Sequence, residues 1–155
     1  MTDIRFYHLQ NKSLEVVLPI LLGKALAKGD AICIYMQSSE DVERMNAHLW
    51  TASPESFLPH GSAKDKVDAK DQPIFLTHEI GENPNDAKIA FLTQGSVPED
   101  LNGFDLVCNV FDGRDQTAVD SARTLWKALK SEQEEKAYEL TYWQQSENGQ
   151  WVNRA

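Results

Sequence analysis

The chain has 155 residues, 41% of them hydrophobic, and its 15 Lys and Arg against 24 Asp and Glu give a formal net charge of −9. That length supports one well-buried domain over residues 1–155 and is short for two. The acidic balance argues against nonspecific duplex binding, which requires clustered cations whose affinity comes from counterion release, so any link to nucleic acid is expected to be mainly indirect.

IRFYHL opens the chain as a short strand, and Ser13 stands where an N-cap precedes a helix. Leu14, Val17, Leu18, Leu21, Leu22, Ala25 and Leu26 then repeat at helical spacing, and Gly29 stops the element. Pro19 falls inside this pattern, so a kink is expected there, or a regular helix that begins nearer Pro19. AICIYM is an apolar run that fits a buried strand parallel to the first after a helical crossover. SSEDVERMNAHLW resumes helical spacing through Val42, Met45 and Leu49. In residues 61–72, GSAKDKVDAKDQ, Lys and Asp balance and almost nothing is apolar, which predicts a mobile surface loop. PIFLT, KIAFLT and DLVCNVF are three further strand candidates separated by Asn-Pro, Gly-Ser and Asn-Gly turn signals. A long helix follows in DQTAVDSARTLWKALKSEQEEK, then YELTYWQQ alternates like a strand, with a turn at ENGQ before Trp151.

Alternating strands and helices predict an α/β fold with one mostly parallel sheet and helices on both faces. The sheet is expected to be mixed at one edge, because three strands follow without a long helix between them. Cys33 and Cys108 lie in apolar β-like runs as free thiols, and no disulfide or zinc framework is implied. The N-terminus has no basic segment leading into an apolar stretch, and no apolar run is long enough to span a bilayer, so a cytoplasmic protein without membrane contact is expected.

A nucleotide cofactor would need a glycine-rich turn after the first strand, and the chain has HLQNKSLE there. No phosphate-binding loop or nucleophile elbow occurs elsewhere, so no cofactor is expected. His8, His48, His60 and His78 are scattered without metal-ligand spacing, and each reads as structural or surface, with no metal site. The best enzymatic candidate is VFDGRDQ, where Asp112 and Asp115 follow a buried strand at the end where α/β folds bind ligands. Two carboxylates there could hold Mg²⁺ for a nuclease or phosphatase. The same residues also fit a turn at Asp112-Gly113 and a helix cap at Asp115.

Arg123, Trp126, Lys127 and Lys130 fall at i, i+3, i+4 and i+7 of the long helix, placing three cations and an indole on one strip. On an acidic chain such a strip reads as a docking site for a partner bringing carboxylates and an aromatic group. It also fits a solvated helix flank whose Trp lies at the core edge. A second surface feature is LWTASPESFLPHG, where Trp50, Phe57, Leu58, Pro59 and His60 are tucked onto the core or offered to a partner.

FYHL at the start, Leu49-Trp50, the stretch PESFLPH from Pro54 to His60, the strand ending in Phe111 and the Ala122 to Lys127 run together resemble the chi subunit of bacterial DNA polymerase III. The resemblance implies a Rossmann-like single domain without an active site. It implies an accessory subunit of the clamp-loader assembly within the DNA-directed DNA polymerase holoenzyme. Chi proteins bind the psi subunit, which links them to the clamp loader, and the acidic C-terminal tail of single-stranded-DNA-binding protein. Carried over by position, the tail site comprises Arg123, Trp126 and Lys127, with Lys130 added from helical geometry. The tail ends in acidic residues followed by Ile-Pro-Phe. A further lysine of the family, one turn before Arg123, aligns with Val119, so a cation is missing there. The psi interface maps onto Trp50 and Phe57, whose burial would supply about 1.5–3 kcal/mol each before association costs. Beyond the long helix, Tyr142, Trp143 and Trp151 either extend the sheet edge or cover the helix.

Overall fold

The computed structural model describes residues 2–51, 60–62, 65 and 68–154. Among the described residues eight strands form one sheet: β1 (Thr2–Leu9), β2 (Ile32–Tyr35), β3 (His60–Ser62), β4 (Ile74–Thr77), β5 (Ile89–Leu92), β6 (Leu106–Asp112), β7 (Tyr138–Gln145) and β8 (Trp151–Asn153). Three α-helices among the described residues accompany them: α1 (Leu14–Leu26), α2 (Ser39–Thr51) and α3 (Gln116–Lys136). The strand order is β3-β4-β2-β5-β6-β1-β7-β8. Every neighbouring pair is parallel except β7 with β8.

The central strands β2, β4 and β5 are buried on both faces, which is why they read as continuous apolar runs. Val17, Leu18, Leu21 and Leu22 of α1 and Val42, Met45 and Leu49 of α2 pack with Ile32, Ile34 and Leu76 on one face. Val119, Ala122 and Leu129 of α3 pack with Ile4, Phe6, Tyr35 and Val107 on the other. The result is the three-layer α/β arrangement expected from the alternation. No helix among the described residues is long and apolar enough to cross a membrane.

Several local expectations differ in detail. Ser13 occupies the N-cap of α1, yet its side chain makes no cap bond. Its backbone carbonyl instead accepts from Val16 and Val17. Helix α1 runs through Pro19, while Gly29, with φ 88°, closes the turn beyond its end. Ser38 and Asp41 form a reciprocal cap on α2: the Ser38 hydroxyl accepts from the Asp41 N–H and donates to its carboxylate.

The stretch 61–72 begins inside β3 and contains a 3₁₀ turn at Ala69–Asp71; residues 63, 64, 66 and 67 lie outside the described residues. The mixed edge arises at the C-terminal hairpin, and the three strands without intervening helices, β4, β5 and β6, are all parallel. The β4–β5 crossover is held by Asn85, whose buried amide donates to the carbonyls of Ile32 and Gln72. Tyr35 Oη also donates to the Glu82 carbonyl at 2.6 Å. These bonds do what a crossover helix would otherwise do, anchoring polar backbone over the sheet.

Both thiols are buried, Cys33 on the α3 face and Cys108 on the α1 face, and burial pushes each up to about 12. They behave as small hydrophobes with negligible thiolate at neutral pH.

Candidate functional site

Helix α3 is positioned by its ends and by one apolar stripe. Asp115 caps it, accepting from Thr117 N–H at 3.0 Å, and Ala137 terminates it in the left-handed region. Val119, Ala122 and Leu129 are buried and Trp126 is half-buried between them, the i, i+3, i+7, i+10 stripe of a helix laid on a sheet. Arg123 and Lys127 consequently stand exposed on the flank. Val119, where the resemblance sets a missing cation, belongs to the buried stripe.

The Trp126 ring meets Phe6 edge-on at 5.1 Å and Tyr142 edge-on at 5.7 Å. Phe6 and Tyr142 are register partners on β1 and β7, and their rings stack at 6.2 Å. Tyr142 Oη shares a 2.6 Å hydrogen bond with His8 Nδ1, and the His8 ring packs 5.0 Å from Phe111. An aromatic layer therefore runs from α3 across β7, β1 and β6, the Trp126 contacts in the edge-on geometry that rings prefer and the His8–Phe111 contact tilted.

Burial lowers the His8 pKa, the nearby Arg123 charge lowers it further, and Asp112 opposes both. Burial likewise raises the Tyr142 pKa, with Arg123 acting against it. Imidazole and phenol are thus neutral near pH 7, and neither offsets the charge of Arg123.

Arg123, Trp126, Lys127, Tyr142 and Arg154 line a surface groove of about 340 Å³. Its floor is aromatic and its rim cationic. Three of the four residues expected on the α3 strip line it; Lys130 does not. Its Nζ lies over the Trp126 ring, 5.4 Å from the centroid, and donates to Gln133 at 3.4 Å. Sequence alone reads Tyr142 as extending the sheet edge or covering the helix and His8 as structural or surface, and assigns neither of them, nor Arg154, to this site. Tyr142 in fact lies on β7 against Trp126 of α3. Alternation in β7 sets Tyr142 on one face with Leu140, but nothing local tells that this face meets Trp126.

Trp50 lies in the last turn of α2, on the opposite sheet face from α3, and is 54% exposed with its ring 4.3 Å from that of His60 and tilted 39° to it. Phe57, expected beside it, lies outside the described residues. The remaining histidines have protein partners: His60 Nε2 bonds the Asn46 carbonyl, His48 Nε2 the Glu15 carbonyl, and His78 lies 3.2 Å from Glu79.

Asp112 and Asp115 border a crevice of about 350 Å³ at the carboxyl ends of the strands, as the enzymatic alternative requires. Three of their four carboxylate oxygens accept hydrogen bonds, both of Asp112 and Oδ1 of Asp115. Both Asp112 oxygens accept from the Arg114 side chain, one of them also from the Arg114 backbone, and this pairing holds the carboxyl below its usual range. Asp115 serves as the α3 cap. The pair acts as turn and cap.

The family described as "DNA polymerase III chi subunit, HolC" matches residues 1–136. The chain belongs to the DNA polymerase III chi subunit family. A "Probable DNA polymerase III subunit chi" from Rickettsia prowazekii (strain Madrid E) is 34% identical over 89 residues, covering 57% of this chain and 53% of that protein. The chain thus aligns with about half the length of that relative. The family match ends at the last residue of α3. Within this chi-family chain, Arg123, Trp126 and Lys127 fall inside the matched residues, whereas Tyr142 and Arg154 lie beyond them.

Proposed function

We propose that this chi-family chain is a non-catalytic adaptor whose α3 groove docks the acidic C-terminal tail of single-stranded-DNA-binding protein. The observation carrying this reading is the juxtaposition of Arg123 and Lys127 with the Trp126 and Tyr142 rings on a chain of net charge −9. A peptide ending in acidic residues and a phenylalanine carboxylate complements both: guanidinium and ammonium for carboxylates, aromatic surface for the ring. Contacts made at the rim of an open groove are screened by salt and exchange readily. Repeated along coated DNA, such weak contacts raise effective concentration while still permitting release.

The α2 end carrying Trp50 is proposed as the side facing the psi subunit, which would connect the chain to the clamp loader. Trp50 and the α3 groove belong to opposite faces of the sheet, so the two partners could be held at once.

The test is fluorescence anisotropy of a labelled peptide with acidic residues before a terminal Ile-Pro-Phe, titrated with wild type and Arg123→Ala at low and moderate salt. Binding that weakens with salt, and that is lost in Arg123→Ala or on deleting the terminal Phe, supports the adaptor reading. No binding by the wild type at low salt overturns it.

A further inference from the structure

We infer that the β7–β8 hairpin completes the peptide groove, with Arg154 as a further cation that contacts the acidic ligand. The inference rests on the docking function proposed above for α3.

The hairpin register pairs Trp143 with Asn153, Gln144 with Val152 and Gln145 with Trp151. Continued by one step, it sets Arg154 opposite Tyr142, and the Arg154 N–H donates to the Tyr142 carbonyl at 2.7 Å. Directly opposed residues project to the same face of a sheet. Trp151 lies on the other face, its ring 5.0 Å from Tyr7, so Arg154, three residues on, is carried by alternation to the α3 side. Backbone geometry thereby delivers this guanidinium to the groove from a different element than Arg123 and Lys127.

Charge compensation sets the groove arginines apart. Arg5, Arg44 and Arg114 each pair with a nearby carboxylate, of Asp3, Asp41 and Asp112 respectively. Arg123 and Arg154 have no ion pair among the described residues, although acidic residues outnumber basic ones by 24 to 15. Two guanidiniums without an ion pair among the described residues, flanking one aromatic floor, suit a ligand that presents more than one carboxylate, such as an acidic peptide with a free C-terminus. With Val119 buried, α3 supplies no cation one turn before Arg123, and Arg154 adds the third positive charge of the groove lining.

The experiment compares wild type with Arg154→Ala, Arg154→Lys, Arg123→Ala and Lys24→Ala in the same labelled-peptide titration. Lys24 is an exposed cation on α1, across the sheet, and controls for the change in net charge. Arg154→Ala is expected to weaken binding by roughly three- to tenfold, with part recovered in Arg154→Lys, and to flatten the salt dependence. Lys24→Ala is expected to stay within about twofold of wild type. Loss in Arg123→Ala with wild-type affinity in Arg154→Ala would overturn the hairpin's role and leave the α3 reading intact. No binding by wild type would overturn both.

Discussion

His48 of α2 donates its Nε2–H to the backbone carbonyl of Glu15 in α1, at 2.7 Å. Glu15 is four residues before Pro19, whose nitrogen carries no hydrogen, so this carbonyl has lost its helical donor. The imidazole supplies the missing bond from the neighbouring helix. It also explains how α1 continues through a proline.

A double-mutant cycle tests this substitution of one donor for another. His48→Ala alone is expected to cost about 0.5–1.5 kcal/mol, at the low end because water reaches the site. In the Pro19→Ala background the helix regains its own N–H, and the cost of His48→Ala should fall close to zero. Urea denaturation of the four proteins measures the coupling. Equal costs in both backgrounds would show that His48 acts independently of the proline.

Gly113 is required by close approach. A Cβ there would lie 2.0 Å from His8 Nε2 and 2.7 Å from the Leu9 carbonyl, which accepts the Gly113 N–H. Gly113→Ala should therefore push His8 off Tyr142 and destabilise the fold by about 1–3 kcal/mol, the usual range for overpacking. Adding His8→Ala should recover only part of this, because the Leu9 backbone remains. Thermal unfolding of both variants reads the effect, and an undisturbed Gly113→Ala would contradict the contact.

The lowered pKa of His8 has a defined consequence for stability against pH. Groups facing it are Tyr142 from β7, Arg123 from α3 and Asp112 from β6. As pH falls through about 6.5, the unfolded chain takes up a proton that folded His8 still resists. Stability is thus fully present above that pH and is lost as pH drops toward the folded value. His8→Asn, which keeps an acceptor near Tyr142, should show a shallower loss between pH 7 and pH 5 than wild type. Parallel stability curves for the two proteins would count against a depressed histidine.

Much of the architecture is legible along the chain because the signals are local. Continuous apolar runs marked β2, β4 and β5, the 3.6-residue stripe marked α3, and Asp115 stood where a cap belongs. Arg123, Trp126 and Lys127 share a flank for the same reason, since helical spacing alone sets it. The strand His60–Ser62 is not legible in the sequence because three residues that include Gly and Ser carry no period; it is a strand only by pairing with Ile74–Leu76. A mixed edge is present as expected, but it comes from the β7–β8 hairpin; between the parallel strands β4 and β5, Asn85 and its neighbours do the work of a crossover helix through bonds to distant carbonyls.

The groove itself was decided in three dimensions. Its floor depends on β1 lying between β6 and β7, which brings His8 to Tyr142 across 134 residues of chain. Its third cation depends on hairpin register, which sets Arg154 opposite Tyr142. Period and propensity tell which face of an element a side chain occupies. Which other face it meets is set by strand order, a property of long-range pairing that no local pattern encodes.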